Sequence, residues 1–185
     1  MNETDAAMAV VAVLEDLGAE YMISGSFASN LWGSPRQTQD MDIVIDIKSL
    51  DLNAFFERIG PDFEIDRQLR FEGVTATHRY VVEHRSTLFR AELFLLTDDP
   101  FDQARFARRV GIEFASRKVA FSTAEDTVIQ KLRWLHLSGH YKHHDDVLGI
   151  LRLQRSNLDW DYIRMWSDKL GMRRLLDEIA AELDP

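Results

Sequence analysis

The sequence predicts an α+β fold in which a mixed β-sheet is flanked by helices and followed by a C-terminal helical bundle. Three observations carry that expectation. Runs rich in β-branched and aromatic residues lie at 21–23, 40–47, 63–70, 75–84, 87–96 and 117–121. Apolar residues recur at helical spacing between them, at 5–18, 50–59 and 101–110, and only helical periodicity remains after position 121. A chain of 185 residues, 45% of them apolar, is long enough to bury a core and too apolar to be disordered. The predicted organisation is a sheet-containing domain over 1–121 with a helical part, 122–185, packed on it.

Residues 5–18 form an amphipathic stretch with Met8, Val11, Ala12, Leu14 and Leu17 as its stripe and Gly18 at its end. Tyr21-Met22-Ile23 reads as a short buried strand, and Ser24 to Ser29 as a strand-to-helix junction free of bulky side chains until Phe27. Glycine at such a junction lets a ligand approach the backbone, and the helix that follows points free N–H groups at an anion. A polar loop with Arg36 and Thr38 then leads into Asp40-Met41-Asp42 and an apolar run to Asp46. Side chains alternate along a strand, so Asp40 and Asp42 share one face while Met41, Ile43 and Ile45 share the other. Carboxylates about 7 Å apart at Cα can reach two divalent cations about 4 Å apart, the arrangement that clamps a phosphoryl group. Alone, Asp-x-Asp reads equally as a strand opening with solvated acids. The Gly-Ser junction beside it makes the pair a phosphate cradle next to a metal cradle.

Taken in order, Gly25-Ser26, Gly33, Arg36, Thr38 and Asp40-Met41-Asp42-Ile43-Val44 resemble the nucleotidyltransferase superfamily, whose distant members include polymerase-β-like enzymes. Within it the likeness is to the AbiEii-type toxins and their bacterial relatives. The resemblance implies a nucleotidyltransferase-like catalytic domain at 1–121, with NTP as substrate and two Mg²⁺ ions, or Mn²⁺ in their place. It implies that Gly25, Ser26, Arg36 and Thr38 meet the nucleotide and that Asp40 and Asp42 ligate metal. The NMP would pass to an RNA (tRNA) or protein hydroxyl, with an antitoxin protein as partner if the chain is a toxin. Two alternatives stand beside this: a non-catalytic nucleotide-binding module, and a small-molecule enzyme of the aminoglycoside nucleotidyltransferase kind.

Further along, Leu52, Phe55, Phe56 and Ile59 mark a helix that stops at Gly60-Pro61. The strands at 63–70, 75–84 and 87–96 belong to one mixed sheet with Asp40 to Ile47. Glu92 lies inside the last, and a buried acid there needs a partner or a metal. Arg90, two residues away on the same face, is one partner. The resemblance implies instead a third metal-binding carboxylate, where the family more often has aspartate. Asp98-Asp99-Pro100 makes a turn, and Arg105, Arg108 and Arg109 on the next helix form either a solvated face or a basic rim for a nucleic-acid acceptor. Residues 117–121 read as a short edge strand.

Ser122 or Thr123 caps the next helix, completed as a capping box by an acid three residues on. On it Lys131 lies beside the stripe of Val128, Leu132 and Leu135, either snorkelling or aimed at an anion. By resemblance it faces the nucleotide. His136, His140, His143, His144, Asp145 and Asp146 invite a zinc site, which Gly139, the lack of cysteine and the loop character of the histidines argue against. Asp146 stands before the apolar Val147 to Leu151 helix, where the resemblance gives it the task of orienting Lys131 or Arg133 or of approaching the nucleotide; Asp145 could instead cap that helix. The tail, 160–183, reads as two helices broken at Gly171.

Composition narrows the partners. A formal net charge of −9 excludes a general electrostatic attraction for nucleic acid, and the absence of cysteine excludes disulfide and thiolate chemistry. With no basic n-region at the start and no segment apolar enough to span a bilayer, the expected protein is soluble and cytoplasmic, with no membrane partner.

Overall fold

The computed structural model describes residues 2–183. Its first helix, α1 (Glu3–Asp16), opens with a reciprocal capping box between Asn2 and Asp5 and ends just before Gly18, whose φ of +67° reverses the chain. The strands are β1 (Tyr21–Ile23), β2 (Asp40–Ile45), β3 (Phe63–Glu72), β4 (Thr77–His84), β5 (Arg90–Leu95), β6 (Val110–Phe114) and β7 (Arg117–Phe121). Helices α2 (Gly25–Trp32), α3 (Leu52–Arg58) and α4 (Pro100–Ala107) connect them, and α5 (Ala124–Ser138), α6 (Lys142–Gln154), α7 (Trp160–Lys169) and α8 (Arg173–Ala181) follow.

One seven-stranded sheet has the order β3-β4-β5-β2-β1-β7-β6. The β2/β5 and β1/β7 pairs are parallel and the rest antiparallel, so the sheet is mixed as expected. Strand β6 departs from the sequence reading, which ran a helix through Val110 and placed an edge strand at 117–121. The chain instead turns at Ala115 and Ser116, with φ of 48° and 63°, and β6 takes the edge outside β7. Left-handed turn residues are usually Gly or Asn, and without them the hairpin carried no signal.

Two apolar clusters form. In one, Ala6, Val10, Val11 and Leu14 of α1 and Phe55 of α3 pack on Met41, Ile43, Ile45, Ala91 and Leu93 of the sheet. In the other, α5 to α8 gather Val128, Ile129, Leu132, Val147, Ile150, Leu151, Ile163 and Trp166, joined by Phe101 of α4, whose ring meets Trp166 edge-on at 5.2 Å. Trp32 touches both, and its indole N–H donates to the Ser122 carbonyl at 2.8 Å. Helix α2 therefore joins the sheet to the helical layer. No helix among the described residues is long and apolar enough to cross a membrane.

That joint is tight at Gly33. A Cβ there would lie 2.9 Å from Ile150 Cγ1 and 3.0 Å from the Ile150 backbone nitrogen, so α2 and α6 meet without room for a side chain. Gly33→Val is expected to cost about 1–3 kcal/mol through overpacking, read as a lower urea midpoint.

Candidate active site

At the end of β1 the chain enters α2 through Gly25, in the left-handed region at φ +60°. A Cβ on Gly25 would stand 1.7 Å from Asp42 Oδ2. Only glycine lets the β2 carboxylate sit over the first turn of α2. Ser24, the N-cap, gives that turn no side-chain hydrogen bond, which leaves the helix start open to an anion.

The parallel register of β2 and β5 sets Asp40 opposite Arg90 and Asp42 opposite Glu92. Asp40, Asp42 and Glu92 thus come together on one face. Asp42 is partly buried and its side chain makes no hydrogen bond or ion pair with the described residues. Burial, then the charges of Glu92 and Asp40, lift its pKa to about 6 against the pull of Lys131 and Arg79. Its neighbours are held by arginines. Arg90 reaches Asp40 at 3.0 Å and Glu92 at 3.5 Å, while Arg79 of β4 meets Glu92 at 3.1 Å and also pairs with Glu72. The partner expected for Glu92, Arg90, is therefore present, and Arg79 is an unforeseen second one. Diagonal contacts across antiparallel strands depend on register, which the sequence did not supply.

Facing these acids is a relay of charges. Lys131 of α5, only 4% exposed, donates to Asp146 Oδ2 at 2.7 Å, and Arg36 Nε donates to Asp146 Oδ1 at 2.9 Å. Arg36 Nη2 also donates to Ser26 Oγ at 2.8 Å. The loop bearing Arg36 is fixed by Asn30, whose amide donates to the Arg36 carbonyl and accepts from its N–H. Burial lowers the pKa of Lys131 despite the opposing charges of Asp146 and Asp42. Burial raises that of Asp146, but the Arg36 hydrogen bond and the Lys131 charge outweigh it, and the group lies below the usual carboxylate value. Thr38 Oγ1 donates to the Asp40 carbonyl at 3.2 Å and braces the start of β2.

Gly25, Ser26, Arg36, Thr38, Asp40, Asp42, Glu92 and Lys131 all line one cleft of about 370 Å³. Asp146 stands behind it, holding Lys131 and Arg36. Arg133 turns away to Asp99. Asp145 is no cap, since α6 already begins at Lys142. His143 and His144, read from sequence as loop residues, lie in the first turn of α6 and are buried. Sequence reasoning missed the cleft residues Glu72, Thr75 and Thr77 from the β3–β4 hairpin, Trp134 of α5 and Lys142 of α6, and weighed His140, in the loop between those helices, and His143 only as zinc ligands. Trp134 could have been found, being three residues beyond Lys131 on the same helix face.

Arg105 of α4 and Arg108 and Arg109 in the turn after it form neither a solvated face nor an open basic rim. Arg105 is buried against Asp102 at 2.8 Å, Arg108 pairs with Asp126 at 3.2 Å and covers the Tyr162 ring, and Arg109 reaches Glu20 at 2.9 Å. Among the described residues no three His, Cys, Asp or Glu side chains are already gathered into a cation site. The histidines do not converge, and Arg79 and Arg90 hold Glu92 and Asp40.

No family model matches the chain, and no curated protein matches it significantly. Solved structures do. The antibiotic-resistance factor ANT(2'')-Ia aligns over 95% of this chain and 94% of its own at a TM-score of 0.62 and 14% identity. The lincosamide antibiotic adenylyltransferase LnuA, lincomycin-bound, aligns over 79% of this chain and 94% of its own at 0.52 and 14%. An antigenic nucleotidyltransferase-like protein from Paracoccidioides brasiliensis aligns over 95% and 91% at 0.58 and 18%. The chain has a nucleotidyltransferase fold. The nearer likeness to AbiEii-type toxins rests on the sequence motifs alone.

Within this nucleotidyltransferase fold the strained carboxylate has a measurable signature. Asp42 titrates at 3.8 in a solvated chain and at about 6 when folded, so between these values the folded state binds more protons. Stability must then fall as pH rises through that window and stay lower above it. In chelator, Asp42→Asn is expected to exceed the wild type in stability by about 3 kcal/mol at pH 7.5, the gain fading as pH falls from about 6 to about 4, as measured by chemical unfolding at several pH values.

Proposed function

We propose that the chain transfers a nucleoside monophosphate from an NTP to an acceptor hydroxyl. The observation that carries this reading is the closeness of Asp42 to Gly25, which sets a free carboxylate directly over an uncapped helix start. The N–H groups of that turn, with Lys131 and Arg36, would receive the phosphate tail. Asp40, Asp42 and Glu92 would hold divalent cations, Mg²⁺ or Mn²⁺. The donors fit: carboxylate oxygens suit hard cations, and the charge crowding at Asp42 is of the kind a cation relieves. Such ions, when bound, neutralise phosphate charge and lower the pKa of the attacking hydroxyl.

In the transfer, the acceptor oxygen bonds to the α-phosphorus as the bond from that phosphorus to the α–β bridging oxygen breaks. Pyrophosphate leaves with the electron pair. The hydroxyl proton would pass to a carboxylate of the site.

The acceptor this site favours is a small molecule. The net charge is −9, and Arg105 of α4 with Arg108 and Arg109 just after it, which could meet a polyanion, are paired with Asp102, Asp126 and Glu20. Support comes from ANT(2'')-Ia, solved in complex with adenylyl-2''-tobramycin, and from LnuA, solved with lincomycin. A tRNA or protein acceptor, a toxin role and an antitoxin partner are supported by the sequence resemblance.

The test is incubation with each α-³²P-labelled NTP and Mg²⁺ in a cell extract, divided afterwards into small molecules, RNA and protein. Label is expected in the small-molecule fraction and is expected to vanish with Asp42→Ala. Label in RNA or protein instead contradicts the acceptor assignment. Mg-NTP binding with no label in any fraction contradicts transfer and leaves a nucleotide-binding module.

A further inference from the structure

A second cluster in the cleft is not used by the scheme above. Its centre is His143, 7% exposed, which lines the cleft while its Nδ1 has no hydrogen-bond partner. A buried polar atom without a partner is costly to the fold. The ring is held by stacking on Trp134, with centroids 5.8 Å apart and planes 27° from parallel. Lys142 and His140 line the same end of the cleft, both exposed, and their side chains enter no ion pair with the described residues.

The surroundings select the sign of the ligand. Burial, then the charges of Lys131 and Lys142, push the His143 pKa down to about 4, opposed only by Asp146. Asp146 is already committed to Lys131 and Arg36. The positive end of the α6 dipole adds to the field. The amides of His143 and His144 are taken by the carbonyls of His140 and Tyr141, so a ligand would be met by side chains. A corner of the cleft lined by Lys131, Lys142, His140 and His143 suits an anion with several oxygens.

On the reading that the cleft binds an NTP, we propose that Lys142 and His143, with His140, form a subsite for the terminal phosphates and for the pyrophosphate that leaves. Lys131 links the two ends of the cleft, since its charge acts on Asp42 on one side and on His143 on the other. The β-phosphate lies at Gly25, Ser26 and Lys131, and the γ-phosphate extends to α6.

The experiment is calorimetric titration of the wild type and of a Lys142→Gln/His143→Phe variant with inorganic pyrophosphate, an NTP and its NMP, each with Mg²⁺. Phenylalanine keeps the stacking on Trp134. Loss of two charge-assisted contacts is expected to weaken pyrophosphate and NTP about tenfold or more and to leave the NMP unchanged. Unchanged pyrophosphate affinity overturns the subsite, as does equal weakening of the NMP, which would place these residues at the nucleoside. A wild type that binds neither NTP nor pyrophosphate overturns the nucleotidyltransferase reading itself, so the two failures are distinct. Should the His143 variant not fold, Lys142→Gln/His140→Gln carries the same test, because both side chains are exposed.

Discussion

The site depends on the contact between a carboxylate and a backbone. Asp42 lies where a side chain on residue 25 would begin, so the positive φ of Gly25, the open start of α2 and the second acid of β2 are one constraint. Any residue but glycine would expel the carboxylate or unwind the turn. The carboxylate in turn is held in an unfavourable state: half-buried, opposite Glu92 and without a bonded partner among the described residues. A protein keeps such a group when its cost is recovered on binding.

The second constraint is the charge relay through Asp146. By pairing at once with Lys131 of α5 and with Arg36, which holds Ser26, this aspartate locks the helical layer to the turn that would cradle phosphate. The pieces are distant in sequence, and this pairing ties their side chains together on top of the packing of α2 against α6. Truncating one member of a buried ion network leaves the others uncompensated, so the relay fixes geometry more than it adds stability.

Much of this was legible in the sequence because it is local. Period-two alternation put Asp40 and Asp42 on one face, and small residues after Ile23 marked the strand-to-helix turn. Gly25, Ser26, Arg36, Asp40, Asp42, Glu92 and Lys131 all reach the same cleft. What was illegible is non-local or lacks the usual residue. Arg79 reaches Glu92 only through the β4/β5 register. Strand β6 was hidden because Ala115 and Ser116 make its turn without glycine. The burial of Arg105 and His143 follows from how α4 and α6 dock, which no window of sequence contains.

The central claim is that Asp40, Asp42 and Glu92 gather metal beside a phosphate tail lying on α2. The most direct measurement is anomalous diffraction from a crystal grown with Mn²⁺ and an NTP analogue whose α–β bridge is methylene. The account predicts anomalous peaks between these carboxylates and the phosphates, with Arg79 or Arg90 displaced from them. Manganese bound elsewhere, or a phosphate tail outside the turn at Gly25 and Ser26, would contradict it.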